Sequence, residues 1–151
     1  MEFVDAEYQF VDACENGHLD KVIEFVKNGT DIYAYNSMDN GFGWACCNGH
    51  LQIAQYLMEQ EDKPNVHSAD DFGFRLACRN GHLHVVQYLM SLENKPNIHA
   101  NNDFGFHWAC ENGHLPVVQY LMSLNDKPNI HADDDFGFHW ACENGHLPVV
   151  Q

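Results

Sequence analysis

Two segments within residues 103–134 carry apolar side chains at the spacing of one helical face. The first stripe consists of Phe106, Ala109 and Cys110, at i, i+3 and i+4. The second stripe consists of Leu115, Val118, Leu121 and Met122. Apolar residues at this period are typical of amphipathic helices, so the pattern predicts two short helices, each with one buried face.

Glycine and proline mark the ends of both predicted helices. Gly113 lies between the two stripes and predicts a helix stop, because glycine enters the left-handed backbone region without a steric penalty. Pro116 fits the first turn of the second helix, where its missing N–H would have no partner in any case. Lys127-Pro128 predicts the end of that helix, and the polar residues 129–134 predict an extended link to the next unit.

The helix pair recurs with a period of 32 residues. The tripeptide Asn-Gly-His marks the period and begins at Asn16, Asn48, Asn80, Asn112 and Asn144. Residues 71–102 and 103–134 agree at 24 of 32 positions, and residues 135–151 repeat residues 103–119 without a change. A unit of this size cannot bury its own stripes, so the period predicts an all-α solenoid of stacked units.

The chain is predicted to form one repeat domain, residues 1–151. Its predicted parts are an N-terminal cap at about 1–36, repeats at about 37–70, 71–102 and 103–134, and a truncated repeat at 135–151. Gln151 aligns with Gln119, which is followed by Tyr120-Leu121-Met122. The last unit is therefore expected to be cut inside its second helix and to expose apolar surface.

Cysteine recurs once per unit, at Cys14, Cys46, Cys78, Cys110 and Cys142. Equivalent residues of stacked helices are expected about 8–10 Å apart, whereas a disulfide needs Cα atoms within about 7 Å. We therefore expect small buried thiols rather than disulfides. Cys47 lies outside this series and is expected to be more exposed.

Acidic residues outnumber basic residues by 22 to 7, which gives a formal net charge of -15. This charge disfavours nucleic acid and anionic membrane surfaces and favours a partner protein with a basic patch; an acidic surface that serves only solubility is the alternative. No signal-peptide pattern is present, and no segment approaches the ~20 apolar residues of a membrane span. The sequence therefore predicts an intracellular, cytoplasmic monomer.

The block Ala109–Val118 resembles the ankyrin repeat: two small residues, two variable residues, Gly-His and a helix with paired valines. Residues 129–132 and 28–34 are similar to the hairpin segment of that family. The variant style is similar to arrays of large amoeba-infecting DNA viruses and some protists. The resemblance covers the whole chain and implies an ankyrin-type solenoid of helix-turn-helix repeats with short hairpin or loop connections. The residues Phe104–His107 depart from the family's Thr-Pro-Leu-His, which leaves the hairpin's length and hydrogen bonding open.

The resemblance also implies where a partner would bind, on the hairpin tips and the inner face of the first helices. The tip residues would be Asp70, Asp71 and Phe72, then Asn101, Asn102, Asp103 and Phe104, then Asp133, Asp134, Asp135 and Phe136. The helix residues would be Arg75, Arg79, His107, Glu111, His139 and Glu143. This surface differs between units where the scaffold does not, since Arg75 and Arg79 become His107 and Glu111, as a binding face would; drift on a solvated surface is the alternative.

Motifs that suggest chemistry are better explained by the repeat. Asp-Phe-Gly begins at Asp71, Asp103 and Asp135, but the other kinase motifs are missing. His107, Cys110 and His114 are metal-ligand types at i, i+3 and i+7, but Gly113 breaks the helix between them. No nucleophile with an adjacent base is specified. We therefore expect no enzyme and no cofactor, with a metal-binding protein as a remote alternative.

Trp44, Trp108 and Trp140 stand at one position of the repeat. We expect them to pack in the core, because large aromatic side chains carry much burial energy; an exposed aromatic binding surface is the alternative. The predicted function is a protein–protein interaction module. The recognition arm of a larger effector, such as a ubiquitin-ligase adaptor, is the second hypothesis.

Overall fold

The structure, a computed structural model, describes residues 5–33 and 40–151 as ten helices with no β-strand in those ranges. The helices are α1 (Ala6–Glu15), α2 (Leu19–Lys27), α3 (Gly41–Cys47), α4 (Leu51–Met58), α5 (Ser68–Arg79), α6 (Leu83–Ser91), α7 (Ala100–Glu111), α8 (Leu115–Ser123), α9 (Ala132–Glu143) and α10 (Leu147–Val150). The predicted all-α class is confirmed. Residues 1–4 and part of the link predicted around residue 36 lie outside the described residues.

The helices form two layers of stacked pairs. The odd-numbered helices pack against one another in chain order and form the first layer, and each contacts the even-numbered helix that follows it. The even-numbered helices form the second layer, with fewer contacts between neighbours. Each unit therefore touches mainly the units before and after it, which is the packing of a solenoid.

One phenylalanine per unit forms the centre of the first layer. Phe10, Phe42, Phe74 and Phe106 are 1–5% exposed, whereas the equivalent Phe138 is 56% exposed. Phe138 has no following helix against it in the described chain, and Ile130 and Leu147 are also exposed there. Phe138 and Ile130 line an open groove of about 690 Å³.

The cysteines are free thiols in the described chain. Cys14, Cys46, Cys78 and Cys110 are buried as expected, and burial raises the pKa of Cys110 to about 12. Cys142 is exposed, because it lies in the last unit. The expectation for Cys47 is wrong: it is 6% exposed, since the Asn80 side chain donates to its carbonyl oxygen at 2.8 Å and covers it.

The Gly-His pair joins each unit to the next. Gly17, Gly49, Gly81 and Gly113 have φ between +73° and +78°, which confirms the predicted stops after the first helices. Each also lies against the histidine ring of the following unit: a Cβ on Gly81 would be 2.5 Å from His114 Nδ1. Glycine is therefore needed for both the backbone conformation and the contact.

The link between units is not the extended segment predicted at 129–134. Residues 130–131 form a turn, and Asp133, Asp134 and Asp135 follow with φ of 53–61°. Such left-handed turns also occur at Asn101–Asp103 and at Ala69–Asp71. Asparagine and aspartate tolerate this backbone region better than other side chains, which accounts for the composition of the link. The preceding helix ends at Ser123, earlier than Lys127-Pro128 predicted.

Ala69 is the residue least suited to its left-handed turn. Its φ of 50° is one that alanine rarely adopts, and Asn101 and Asp133 occupy the same place in the next two turns. We expect Ala69→Asn to raise the free energy of unfolding by roughly 0.5 kcal/mol, as part of the left-handed penalty is removed. Urea unfolding measures the change. Asn101→Ala is the reciprocal control and should destabilise; shifts of the same sign would contradict the argument.

Candidate functional site

Two of the predicted tip residues are buried, and the expectation that they contact a partner is corrected. Asp71 and Asp103 are 4% and 5% exposed. Asp71 Oδ1 lies 2.7 Å from His67 Nδ1, and the backbone N–H of Asn97, in the next link, donates to Asp71 Oδ2 at 3.3 Å. Asp103 repeats this arrangement with His99 and Asn129. The left-handed turn thus directs its third carboxylate into the stack, where it connects consecutive links.

The histidines of these links also reach the following unit. His67 Nε2 lies 3.1 Å from Asn94 Oδ1, and His99 Nε2 lies 3.1 Å from Asp126 Oδ1. The hydrogen bond with Asp126, followed by that with Asp103, raises the pKa of His99. These histidine–carboxylate contacts supply the hydrogen bonding between links that the sequence left open.

His107 is also buried, and its predicted contact with a partner is corrected. The side chain is 0% exposed, and its Nδ1 accepts a hydrogen bond from the Gly137 N–H at 3.2 Å. A Cβ on Gly137 would be 2.5 Å from that same nitrogen, so the imidazole occupies the space that the glycine leaves. Burial lowers the pKa of His107, and His107 Nε2 has no hydrogen-bond partner among the described residues.

The other predicted residues remain at the surface. Exposed side chains in the turns are Asp70, Asn101, Asn102, Asp133, Asp134 and Asp135. Exposed side chains on the first-layer helices are Arg79, His139 and Glu143. Half-buried residues are Phe72, Arg75, Phe104, Glu111 and Phe136. Because α5, α7 and α9 are neighbours, these side chains form two adjacent rows, one along the turns and one along the helices.

An aromatic row runs along the first-layer helices. Trp44 packs edge-on against Phe72 at 5.7 Å between ring centroids, and Phe104 stacks on Phe136 at 6.4 Å. Trp44 and Trp108 are half-buried, and Trp140 is 36% exposed. The tryptophans are therefore more exposed than the predicted core position requires. Trp108 and Trp140 follow Phe104 and Phe136 by four residues, and this spacing was the sequence signal for a surface row; the residue four before Trp44 is Asn40.

The chain's two arginines cover one tryptophan of this row. The guanidinium carbons of Arg75 and Arg79 lie 5.7 Å and 5.4 Å from the ring centroid of Trp108, within the range of cation–π attraction. Arg75 also donates to the carbonyl oxygens of Ala69 and Asp70 at 3.0 Å and 2.7 Å. The two arginines were predicted to contact a partner. They instead make contacts within the array, although Arg79 stays exposed.

The grouping of His107, Cys110 and His114 is separated by the fold. The His107 ring lies under Gly137, whereas the His114 ring lies against Gly81 in the unit on the opposite side. In residues 5–33 and 40–151, no group of three or more His, Cys, Asp or Glu side chains is placed to hold a metal ion. In the same part of the chain, no helix has the length and apolar character needed to cross a bilayer.

The stacked pairs, the Gly-His contacts and the varied surface rows define a helical-repeat solenoid. The family model described as ankyrin repeats (3 copies) matches residues 10–102 and 74–151. The chain therefore belongs to the ankyrin repeat family, as the sequence resemblance predicted. A comparison with curated proteins finds no match. Ankyrin repeats are generally non-enzymatic scaffolds for protein–protein interaction.

Proposed function

We propose that this array binds a partner protein through its exposed turn residues and the exposed face of its first-layer helices. The turn part of this surface consists of Asp70, Asn101, Asn102, Asp133, Asp134 and Asp135. The helix part centres on Arg79, Glu111, Trp140 and Glu143. Asp71, Asp103 and His107 serve the scaffold beneath this surface, because their side chains are buried.

The observation that carries the proposal is a change of surface chemistry on an unchanged scaffold. Arg79, Glu111 and Glu143 stand at the same place in successive units, while the residues before them are always cysteine. The turns likewise share one left-handed backbone, yet read Ala-Asp, Asn-Asn and Asp-Asp at their first two positions. Binding residues are commonly carried in this way on variable segments that a rigid scaffold positions.

The charge of the turn row indicates the chemistry of the partner. Asp70, Asp133, Asp134 and Asp135 are exposed; His131 Nδ1 contacts Asp135, and the Arg75 guanidinium lies at the backbone carbonyl of Asp70. A partner with a basic patch would be steered toward this row, and the attraction would weaken as salt screens it. The proposal therefore includes a salt-dependent association rate.

A variant with Asp70, Asp133, Asp134 and Asp135 all changed to Asn tests the turn row. Asn101 and Asn102 already adopt the same backbone, so the fold should be retained while four charges are lost. We expect at least a tenfold loss of captured partner from source-cell lysate at low salt, because complementary charges are removed. Circular dichroism checks that the variant is folded.

The matched control removes four charges elsewhere. Asp20, Glu24, Glu61 and Glu93 are exposed on the second-layer side or in links, and their amide variants change the net charge equally. This control should capture the partner as well as the native chain does. Equal loss in both variants would mean that net charge alone matters, and equal capture by both would move the site to another face.

A further inference from the structure

His107 occupies a closed place between two first-layer helices. Its side chain is 0% exposed, and its Nδ1 accepts a hydrogen bond from the backbone N–H of Gly137 on α9 at 3.2 Å. The equivalent residues of the two preceding units are Gly43, which has no side chain, and Arg75, whose guanidinium lies over the Trp108 ring. Among the described units, a buried ionisable ring at this place therefore belongs to the contact between α7 and α9.

The hydrogen bond fixes the protonation state that the ring can have in this place. Because Nδ1 accepts, the single proton of the neutral imidazole is on Nε2, and a second proton can bind only at Nδ1. A protonated Nδ1 is a donor, and it would face the N–H of Gly137, which is also a donor. The charged ring and the hydrogen bond from Gly137 therefore exclude each other.

The end of α9 that meets the ring also disfavours a positive charge. The helical backbone of α9 follows the left-handed residues Asp133–Asp135, so the Gly137 N–H belongs to its first turn. The N–H groups of a first turn lack acceptors within the helix and carry a partial positive charge. A neutral imidazole that accepts from one of them is stabilised, and a positively charged imidazole is repelled.

The charged groups around His107 do not reverse this preference. The carboxylates of Asp103 on α7 and Asp133 on α9 favour the protonated ring, but burial has the larger effect and lowers the pKa of His107. The two arginines of α5 lie over the Trp108 ring, and the ionisable residue of α8 is Tyr120. A lowered pKa in the closed state means that acid destabilises the contact as the pH falls below the ordinary histidine pKa of about 6.5.

We propose that acid opens the contact between α7 and α9: protonation of His107 at Nδ1 breaks the hydrogen bond from Gly137, and α9 moves away from α7. The link before α9 is held in acid, because a protonated His99 donates to both Asp103 and Asp126, at 2.7 Å and 3.1 Å. The movement of α9 is therefore a rotation about the turn that connects this link to the helix.

This movement changes the surface that we propose for binding. Residues 133–135 supply three of the four exposed aspartates of the turn row, and they change their position relative to Asp70 when α9 moves. Acid therefore weakens partner binding. This consequence rests on the proposed function, whereas the opening of the contact does not.

Amide hydrogen exchange of the native chain tests the opening, residue by residue, by ¹H–¹⁵N NMR. Protection is compared above and below pH of about 6.5, after correction for the intrinsic pH dependence of exchange. We expect the protection of the Gly137 amide to fall by up to about tenfold per pH unit, the limit for one proton, while α5 keeps its protection. A local measurement is needed, because acid also stabilises the His99 contact and the two effects offset each other in the global free energy of unfolding.

Three variants assign the response to the ring. His107→Asn keeps an acceptor near the place of Nδ1 but does not titrate in this range, so the acid response of Gly137 should disappear. His139→Asn is the matched control: it is the same change at the equivalent, exposed residue of the next unit, and the response should remain. Gly137→Ala places a Cβ 2.5 Å from His107 Nδ1 and should give α9 at neutral pH the exchange that the native chain shows in acid.

Several outcomes would overturn the proposal. These are a Gly137 protection that does not change with pH in the native chain, an acid response that His107→Asn retains, or one that His139→Asn removes. If His107→Asn does not fold, the ¹⁵N shifts of the native His107 ring decide. A doubly protonated ring in chains whose Gly137 amide is still protected would contradict the proposal.

Partner capture at the same two pH values tests the consequence for binding. The native chain should capture less in acid, and His107→Asn should lose less of its capture than the native chain does. An opening seen by exchange, together with the same acid dependence of capture in both chains, would reject the effect on binding and keep the opening. The turn variant at neutral pH tests the proposed function separately.

Discussion

Gly81→Ala is expected to lower the free energy of unfolding by about 3 kcal/mol, the sum of two penalties. Gly81 has a φ of +76°, and an L-residue in the left-handed region costs roughly 1–2 kcal/mol. The new Cβ would also be 2.5 Å from His114 Nδ1, so the ring of the next unit must move. Overpacking of this kind typically adds about 1–3 kcal/mol.

Gly145→Ala separates the two penalties. Gly145 also follows an Asn and has the same φ of +76°, but apart from its chain neighbours no described residue lies within 4 Å of the position of its Cβ. This variant should therefore show only the backbone penalty, about 1–2 kcal/mol. Chemical denaturation monitored by circular dichroism gives both values, and a broader transition for Gly81→Ala would indicate that its two neighbouring units have uncoupled. Equal losses in the two variants would refute the inter-unit contact.

Asp103→Ala is expected to destabilise the array by about 3 kcal/mol, because it removes the acceptor of two hydrogen bonds from a buried place. The carboxylate is 5% exposed and accepts from His99 Nδ1 at 2.7 Å and from the Asn129 N–H at 3.3 Å. Without it, the Asn129 N–H loses its acceptor at a part-buried place. Asp135→Ala is the matched control: its side chain is 55% exposed, so the loss should stay below about 1 kcal/mol.

The effect of Asp103→Ala should also depend on pH. The pKa of His99 is raised by Asp126 and Asp103, so the folded state holds this proton more tightly than the unfolded chain does. That stabilisation is fully present below the unfolded pKa of about 6.5 and is lost as pH rises through the folded pKa. The variant should therefore lose more stability at acidic than at alkaline pH, measured by urea unfolding across that range. A loss of stability that is independent of pH would show that Asp103 does not affect the pKa of His99.

The helices and their stacking could be predicted because their signals are local. Phe106, Ala109 and Cys110 are buried on one face of α7, as their spacing indicates. Gly113 ends the first helix with a left-handed residue, as its place between the stripes predicts. Because the sequence period repeats in the structure, a correct prediction for one unit also predicts how the units stack.

The links and the interior of the candidate site could not be predicted, because their structure depends on residues far along the chain. The local sequence around Asp103 predicts an exposed loop residue. Its burial depends on the contact with the Asn129 N–H, 26 residues further along the chain. His107 is buried because position 137 is glycine. Runs of Asn and Asp indicate a turn, but nothing in them shows that consecutive residues adopt positive φ. The site residues that depend only on their own turn, such as Asp70 and Asp134, are exposed as expected.

The contacts between units repeat in the same form from each unit to the one that follows it. This repetition affects how such an array can evolve. Gly81 meets His114 and Asp71 meets Asn97, and each of these two kinds of contact joins one unit to the next at its own fixed sequence offset, as Gly49 with His82 and Asp103 with Asn129 repeat. A unit inserted by gene duplication brings both halves of every contact with it and needs no compensating mutation. The identity of residues 103–119 and 135–151 is what such a copy looks like before its surface diverges. Selection can then act on Glu111 and Glu143 separately while the buried residues beneath them stay the same.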